Sequence, residues 1–222
     1  GRKTNMNKWT EKQKFMDLLK DGQRIMVGGF LTCGTPEMLI DWVVESNVKD
    51  LTIICNDAGY PEKGVGKLIK NQQVKKLIAT HIGTNPEAGK LMSAGLLDVE
   101  LVPQGTFIEQ IRAKGGGLGG ILTPTGVHTI VEEGKQIIKL SDGKPYILAE
   151  AMGADVALIN AYHSDHLGSL TYSGTARNFN PVMATAADVV VAQVEYQVGH
   201  IHPECVITPH IFIDHIVLGG PR

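Results

Sequence analysis

The sequence predicts an α/β fold: a single domain with a mostly parallel central sheet flanked by helices, plus a β-hairpin-containing C-terminal part. Three observations carry this reading. Short apolar runs such as Arg24-Ile25-Met26-Val27 and Leu51-Thr52-Ile53-Ile54-Cys55 suit strands buried on both faces. Segments of helical pattern separate these runs through the first half of the chain. With 43% apolar and 20% charged residues, a chain of 222 residues can fill one sizeable core.

Gly1 to Asn5 precede Met6 and are set aside, so that one domain covers residues 6–222. Thr10-Glu11-Lys12-Gln13 has a capping-box pattern, and Phe15, Met16, Leu18 and Leu19 follow at helical spacing until Asp21-Gly22. The run 24–27 then reads as a strand that enters Gly28-Gly29, where backbone can turn sharply. Thr35-Pro36-Glu37 predicts a helix start with Thr35 as N-cap, Pro36 at the first helical position and a carboxylate in the first turn. Leu39, Trp42 and Val43 form that helix's apolar face.

Strands over 51–55, 76–82 and 99–102 alternate with helices over 64–70, 86–93 and 107–114. Two of these strands end in polar, glycine-containing segments, Asn56-Asp57-Ala58-Gly59 and Pro103-Gln104-Gly105. Residues 115–126, with Gly119 and Gly120, read either as a flexible linker or as an ordered loop forming a wall of a cleft. Apolar Ile121-Leu122 directly after the glycines favours the ordered loop. Alternation around Asp142-Gly143 over 135–151 predicts a hairpin. Core strands over 156–159 and 189–191, a short strand at 170–172 and a helix over 181–187 complete the chain, with no repeat or linker to divide it.

The 28–34 segment places a glycine loop and helix N-terminal N–H groups at the carboxyl end of a parallel strand, where open α/β sheets bind anionic or carbonyl ligands. A tight structural turn is the alternative. Neither Gly-x-Gly-x-x-Gly nor Gly-Lys-Ser/Thr is present in it. A net charge of −2, no basic block and few aromatics argue against nucleic acid or an anionic membrane as partner. No apolar run nears the roughly 20 residues of a membrane span, and the N-terminus lacks a signal peptide's apolar segment, so a cytoplasmic setting is expected.

Three scattered cysteines do not make a disulfide framework or zinc ribbon. Cys33 reads as a small, partly buried thiol rather than a nucleophile, and Cys55 and Cys205 as structural filling. His200-x-His202, with His210 and His215 beyond, lacks metal-ligand spacing, so no metal is expected. His163, Asp165 and His166 are too close in sequence for a triad and read as a turn. Arg177-Asn178-Phe179-Asn180 reads either as a set that orients a partner carboxylate or as turn and capping groups.

Asp21-Gly22, a largely apolar run, Gly28-Gly29-Phe30, three residues, Gly34, one residue and Pro36 resemble the signature of the α subunit of family I coenzyme A transferases. The resemblance extends through 56–59, His81-Ile82-Gly83-Thr84-Asn85, 101–106, Gly119-Gly120 with 123–126, and 173–180. It is greatest to bacterial acetate or butyrate:acetoacetate CoA-transferases, and the mitochondrial 3-oxoacid enzymes carry a similar N-terminal half. The resemblance implies an enzyme subunit that works with a β subunit, as a heterotetramer, on acyl-CoA and short-chain carboxylates. Coenzyme A is then a substrate, and no permanently bound cofactor is expected. The family's nucleophilic glutamate lies in a Ser-Glu-Asn-Gly motif of the β subunit, and this sequence has no such motif, so no catalytic nucleophile is expected here.

The resemblance further implies contact of Gly28, Gly29, Phe30, Leu31, Thr32, Cys33 and Gly34 with CoA or the acyl group, and Gly119 and Gly120 are expected among the residues that bind CoA or substrate. Asn56 and Gln104 are the candidates for hydrogen bonds to the acyl oxygen or reacting carboxylate. Asp57 stands where the mitochondrial relatives have a second Asn, and no role is carried over to it. Two other classes are a sugar-phosphate isomerase-like or nucleotide-binding domain, which needs a Lys or Arg clamp near the loops for which Arg24 and Lys67 are poorly placed, and a non-catalytic scaffold subunit.

Overall fold

The computed structural model describes residues 7–221, so the set-aside residues 1–5 lie outside the described residues. The chain begins with a short helix α1 (Lys12–Met16) and then alternates β1 (Arg24–Val27), α2 (Glu37–Ser46), β2 (Leu51–Ile54), α3 (Gly66–Lys70), β3 (Val74–Ala79), α4 (Pro86–Ser93) and β4 (Asp98–Leu101). Helix α5 (Gln104–Gly115) follows, then three strands of a second sheet, β5 (Gly120–Thr123), β6 (Ile137–Lys139) and β7 (Pro145–Glu150). The chain returns to the first sheet with β8 (Ala154–Ser164), α6 (Asn180–Met183), β9 (Ala187–Gln197) and β10 (His215–Leu218).

The large sheet has the order β10-β9-β8-β1-β2-β3-β4, and every neighbouring pair is parallel. Successive residues of β1 serve opposite faces, as a strand's two-residue period requires. Ile25 and Val27 pack with Phe15, Leu39, Val43, Leu68 and Leu91 from α1 to α4, whereas Met26 packs with Phe107, Ile111 and Met183 from α5 and α6. Both faces are therefore covered, and burying each such side chain contributes about 1.5–3 kcal/mol. Because α2, α3 and α4 lie on one face and α5 and α6 on the other, the winding reverses between the adjacent strands β1 and β8. That reversal opens a crevice at the carboxyl ends of the strands.

Several local expectations are corrected. Thr10 does not cap α1: its hydroxyl donates to the Lys8 carbonyl (2.8 Å) and meets His215 Nδ1 (3.0 Å), and its N–H bonds Ile216 along the β10 edge. The helix therefore starts late and is only one turn long. Thr35 is not the N-cap of α2 either; Pro36 is, and Gln193 Oε1 on β9 accepts from the N–H groups of Met38 (3.0 Å) and Leu39 (3.2 Å). The expected free N–H groups at this helix end are thus partly taken by the protein itself.

The 115–126 segment is neither linker nor simple loop. Gly116 and Gly117 close the end of α5, and 120–123 form β5, which pairs with β7 from Gly120↔Glu150 to Thr123↔Ile147. The predicted hairpin is present as β6 and β7, with the turn at Asp142-Gly143. Strands β8 and β9 are longer than their apolar centres, the 170–172 strand reduces to bridges at Leu170, and β10 was not expected. The helix expected over 181–187 ends at Met183, because Ala187 already begins β9.

Candidate active site

The loops that follow β1 and β2 and the start of α5 lie at the carboxyl edge of the sheet. At the first of them the chain makes a very tight turn: Phe30 N–H bonds Cys33 O (3.0 Å) and Cys33 N–H bonds Phe30 O (2.9 Å). Its two central residues, Leu31 (φ 48°) and Thr32 (φ 65°), both have positive φ, a geometry that two-residue hairpin turns reserve for Asn-Gly or Gly-Gly. A β-branched Thr in that region is a real outlier, and such strain persists only where surroundings impose it.

Here the surroundings are explicit. The buried Asp57 carboxylate accepts from Leu31 N–H (2.9 Å). Asn178 Nδ2 donates to Cys33 O (2.9 Å) while its Oδ1 accepts from Gly29 N–H (3.1 Å). Asn180 Nδ2 donates to Gly34 O (3.0 Å), and its Oδ1 accepts from Asn160 N–H on β8 (3.1 Å). The turn is bolted on both sides of the crevice.

These contacts also explain the glycines. A Cβ on Gly28 would stand 1.7 Å from Asn180 Oδ1, and one on Gly34 would stand 2.4 Å from Ala176 O. Their backbones approach the protein's own asparagine segment, so Gly28, Gly29 and Gly34 are buried and shape the loop from behind. Phe30 and Cys33 are exposed at the tip, with Leu31 and Thr32 half-buried between them. Cys33 is therefore not the partly buried thiol expected, and Cys205 is likewise exposed; Cys55 alone of the three is buried. Burial, and after it the charge of Asp57, push the Cys55 thiol up to about 12, which keeps it protonated and inert.

A second group of polar side chains joins the loop. Asp57 Oδ1 accepts from Gly59 N–H (2.8 Å), and Oδ2 also accepts from Asn56 Nδ2 (3.0 Å). Asn56 Oδ1 in turn accepts from Gln104 Nε2 (2.9 Å) and from Thr80 Oγ1 (3.1 Å). The structure thus brings together Asn56, Gln104 and the 30–33 turn, through Asp57. Gln104 is the first residue of α5 and exposed, while Asn56 is fully buried, so Gln104 is the member that can reach a ligand.

Gly119 and Gly120 are not part of this group. They lie past the far end of α5, whose 12 residues span about 18 Å. A cleft of about 380 Å³ runs beside Asn178 between α5 and α6, with Arg112, Arg177 and Val182 in its lining.

Asn178 and Asn180 fit the structural alternative for the 177–180 segment, since their amides hold the loop. Asp57, Thr80 and Gln193 were missed in the sequence. The signal for Asp57 was an Asx residue two positions before a glycine, the pattern of an Asx-turn. As expected, neither Arg24 nor Lys67 clamps the loop. Arg24 donates to Gly153 O (3.2 Å) at the opposite end of β1, and Lys67 pairs with Glu37 (2.5 Å) and Asp41 (2.6 Å). Burial alone would lower the Lys67 pKa, but its hydrogen bonds to Asp41 and Glu37 prevail and raise it. The 163–170 segment is a turn built on buried Asp165, whose Oδ1 accepts from the N–H groups of Leu167, Gly168 and Ser169 at 3.1 Å. Although that turn was expected, His163 itself lies within β8. Among the described residues, no three His, Cys, Asp or Glu side chains are grouped to hold a metal ion, and no helix is long and apolar enough to cross a membrane.

The chain is 53% identical over 201 residues to "Acetate CoA-transferase subunit alpha" of Escherichia coli (strain K12), covering 90% of this chain and 91% of that protein. It is 50% identical over 207 residues to "Acetoacetyl-CoA:acetate/butyrate CoA transferase alpha subunit" of Clostridium acetobutylicum, covering 92% and 94%. The fold superposes on an acyl-CoA transferase from E. coli O157:H7 with a TM-score of 0.84 at 21% identity, covering 98% of this chain and 48% of that one, so the chain spans about half that structure's length. The family model described as "Coenzyme A transferase" matches residues 11–219, and the chain belongs to that family.

Proposed function

We propose that this chain is the α subunit of a short-chain acyl-CoA:carboxylate CoA-transferase acting on acetate, butyrate and acetoacetate, with a β subunit as partner in a cytoplasmic heterotetramer. In the proposed reaction, a β-subunit glutamate attacks the thioester carbonyl of acyl-CoA and expels CoA thiolate, leaving an acyl-glutamyl anhydride. The thiolate returns to the glutamyl carbonyl and releases the acyl group as carboxylate. An incoming carboxylate then opens the glutamyl-CoA thioester by the reverse steps. Covalent catalysis divides one difficult exchange into easier ones.

The observation that carries the reading for this chain is the hydrogen-bonded set Gln104-Asn56-Asp57-Leu31, which joins a strand-end amide to a strained loop at the crevice. Gln104 uses one Nε2 hydrogen on Asn56 and keeps the other for the oxygen that becomes negative in the transition state. Asn56 supports Gln104 from below. Phe30, Leu31, Thr32 and Cys33 supply the surface against which the acyl or pantetheine portion rests, with Gly28, Gly29 and Gly34 allowing the loop its path. CoA enters as substrate, and the reaction as proposed calls for no bound cofactor.

The isomerase-like reading lacks its cationic clamp, since Arg24 and Lys67 are engaged elsewhere. The scaffold reading is tested directly. In the assembled enzyme, Gln104→Ala should lower kcat for transfer from acetoacetyl-CoA to acetate by about 100-fold with a small change in KM. An unaltered kcat would favour the scaffold.

A further inference from the structure

We infer that Asp57 is a positioning residue of this reaction: it decides which end of the Gln104 amide is turned into the protein, and therefore which N–H is left for the substrate. The inference rests on the proposed role of Gln104.

Three N–H groups aim at the Asp57 carboxylate, from Leu31, Asn56 and Gly59, so it acts only as an acceptor. Asn56 must then point Nδ2 at Asp57 and turn Oδ1 away. That oxygen faces Gln104, which must answer with Nε2. Donation runs one way, from Gln104 to Asn56 to Asp57, and the acceptor at its end fixes every member. Gln104 is exposed, and a free amide there would rotate in water. The carbonyl offered by Asn56 gives it one preferred orientation. The same carboxylate holds the Leu31 N–H of the strained turn, so one buried charge registers both the amide and the loop beside it.

An Asn at position 57 would keep this logic, since a single oxygen set where Oδ2 stands still accepts from Leu31 and Asn56, and its NH2 faces only Gly59 N–H. A Leu at position 57 keeps the size and accepts nothing. Asn56 is then free to turn over and present NH2 to Gln104, which must reverse as well.

The test is CoA transfer between acetoacetyl-CoA and acetate by this chain assembled with its β subunit, for wild type, Asp57→Leu, Gln104→Ala and the double variant. Asp57→Leu should lower kcat by about tenfold or more in the wild-type background and by less than about threefold when Gln104 is already Ala. Equal losses in both backgrounds, with Gln104→Ala itself slow, overturn the inference and leave the role of Gln104 standing. A Gln104→Ala enzyme as fast as wild type overturns both.

Should Asp57→Leu fail to assemble, Asp57→Asn reads the acceptor oxygen alone. One oxygen still holds Asn56 and Leu31, so its kcat should stay within about threefold of wild type. A loss as large as that of Gln104→Ala overturns the inference.

Discussion

Gly28 shows how closely single residues are fitted at the crevice. Its missing Cβ leaves the space that Asn180 Oδ1 fills while that oxygen holds the backbone of Asn160. Gly28→Ala should therefore push the asparagine off β8 and cost about 1–3 kcal/mol of stability in urea unfolding, as overpacking typically does. The glycine was legible in the sequence, but its reason was not: the neighbour it accommodates lies far along the chain, just before β9. The positive φ of Leu31 and Thr32 was equally hidden, because local preference argues against such a turn and only Asp57, Asn178 and Cys33 together enforce it.

His215 gives a pH signature at the same scale. It is half-buried beside Thr10, and burial, followed by the charge of Lys14, lowers its pKa below the ordinary 6.5, with Asp214 opposing. A base with a depressed folded pKa binds protons more readily when unfolded. Its contribution is thus fully present above about pH 6.5 and is lost as pH falls from there toward the folded value. The fall in melting temperature between about pH 7.5 and about pH 5 should be smaller for His215→Gln than for wild type. An equal fall in both would contradict this.

Among the elements, β1 and β2 were readable because strands buried on both faces are continuous apolar runs. Helix α2 was readable in place but not in how it starts. Its first N–H groups find Gln193, a residue of β9, so the cap is a tertiary contact that no local motif encodes. Gln193→Leu should leave these groups unsatisfied in the interior and cost about 1–3 kcal/mol by thermal or urea unfolding. A variant as stable as wild type would show that water replaces the amide. Strand β5 was missed for a different reason. Gly120 has no side chain to show a pattern, and its partner strand β7 follows only after β6.

At the scale of the whole molecule, the reversal of winding between β1 and β8 determines where function is built. It brings the loop after β1, the asparagine segment before α6, the end of β2 and the start of α5 to one edge of the sheet. The candidate residues Asn56, Gln104 and 28–34 were legible because they sit at strand ends, where polar residues and glycines interrupt apolar runs. The links among them were not, since hydrogen bonds across 26 and 48 residues leave no periodic trace. The central claim is that this chain is one half of a transferase whose nucleophile is supplied by the other half. CoA transfer from acetoacetyl-CoA to acetate, measured for this chain alone and for the chain co-expressed with its β subunit, tests it most directly. The account predicts transfer only in the assembled mixture; transfer by this chain alone, or none by a complex shown to co-purify, would contradict it.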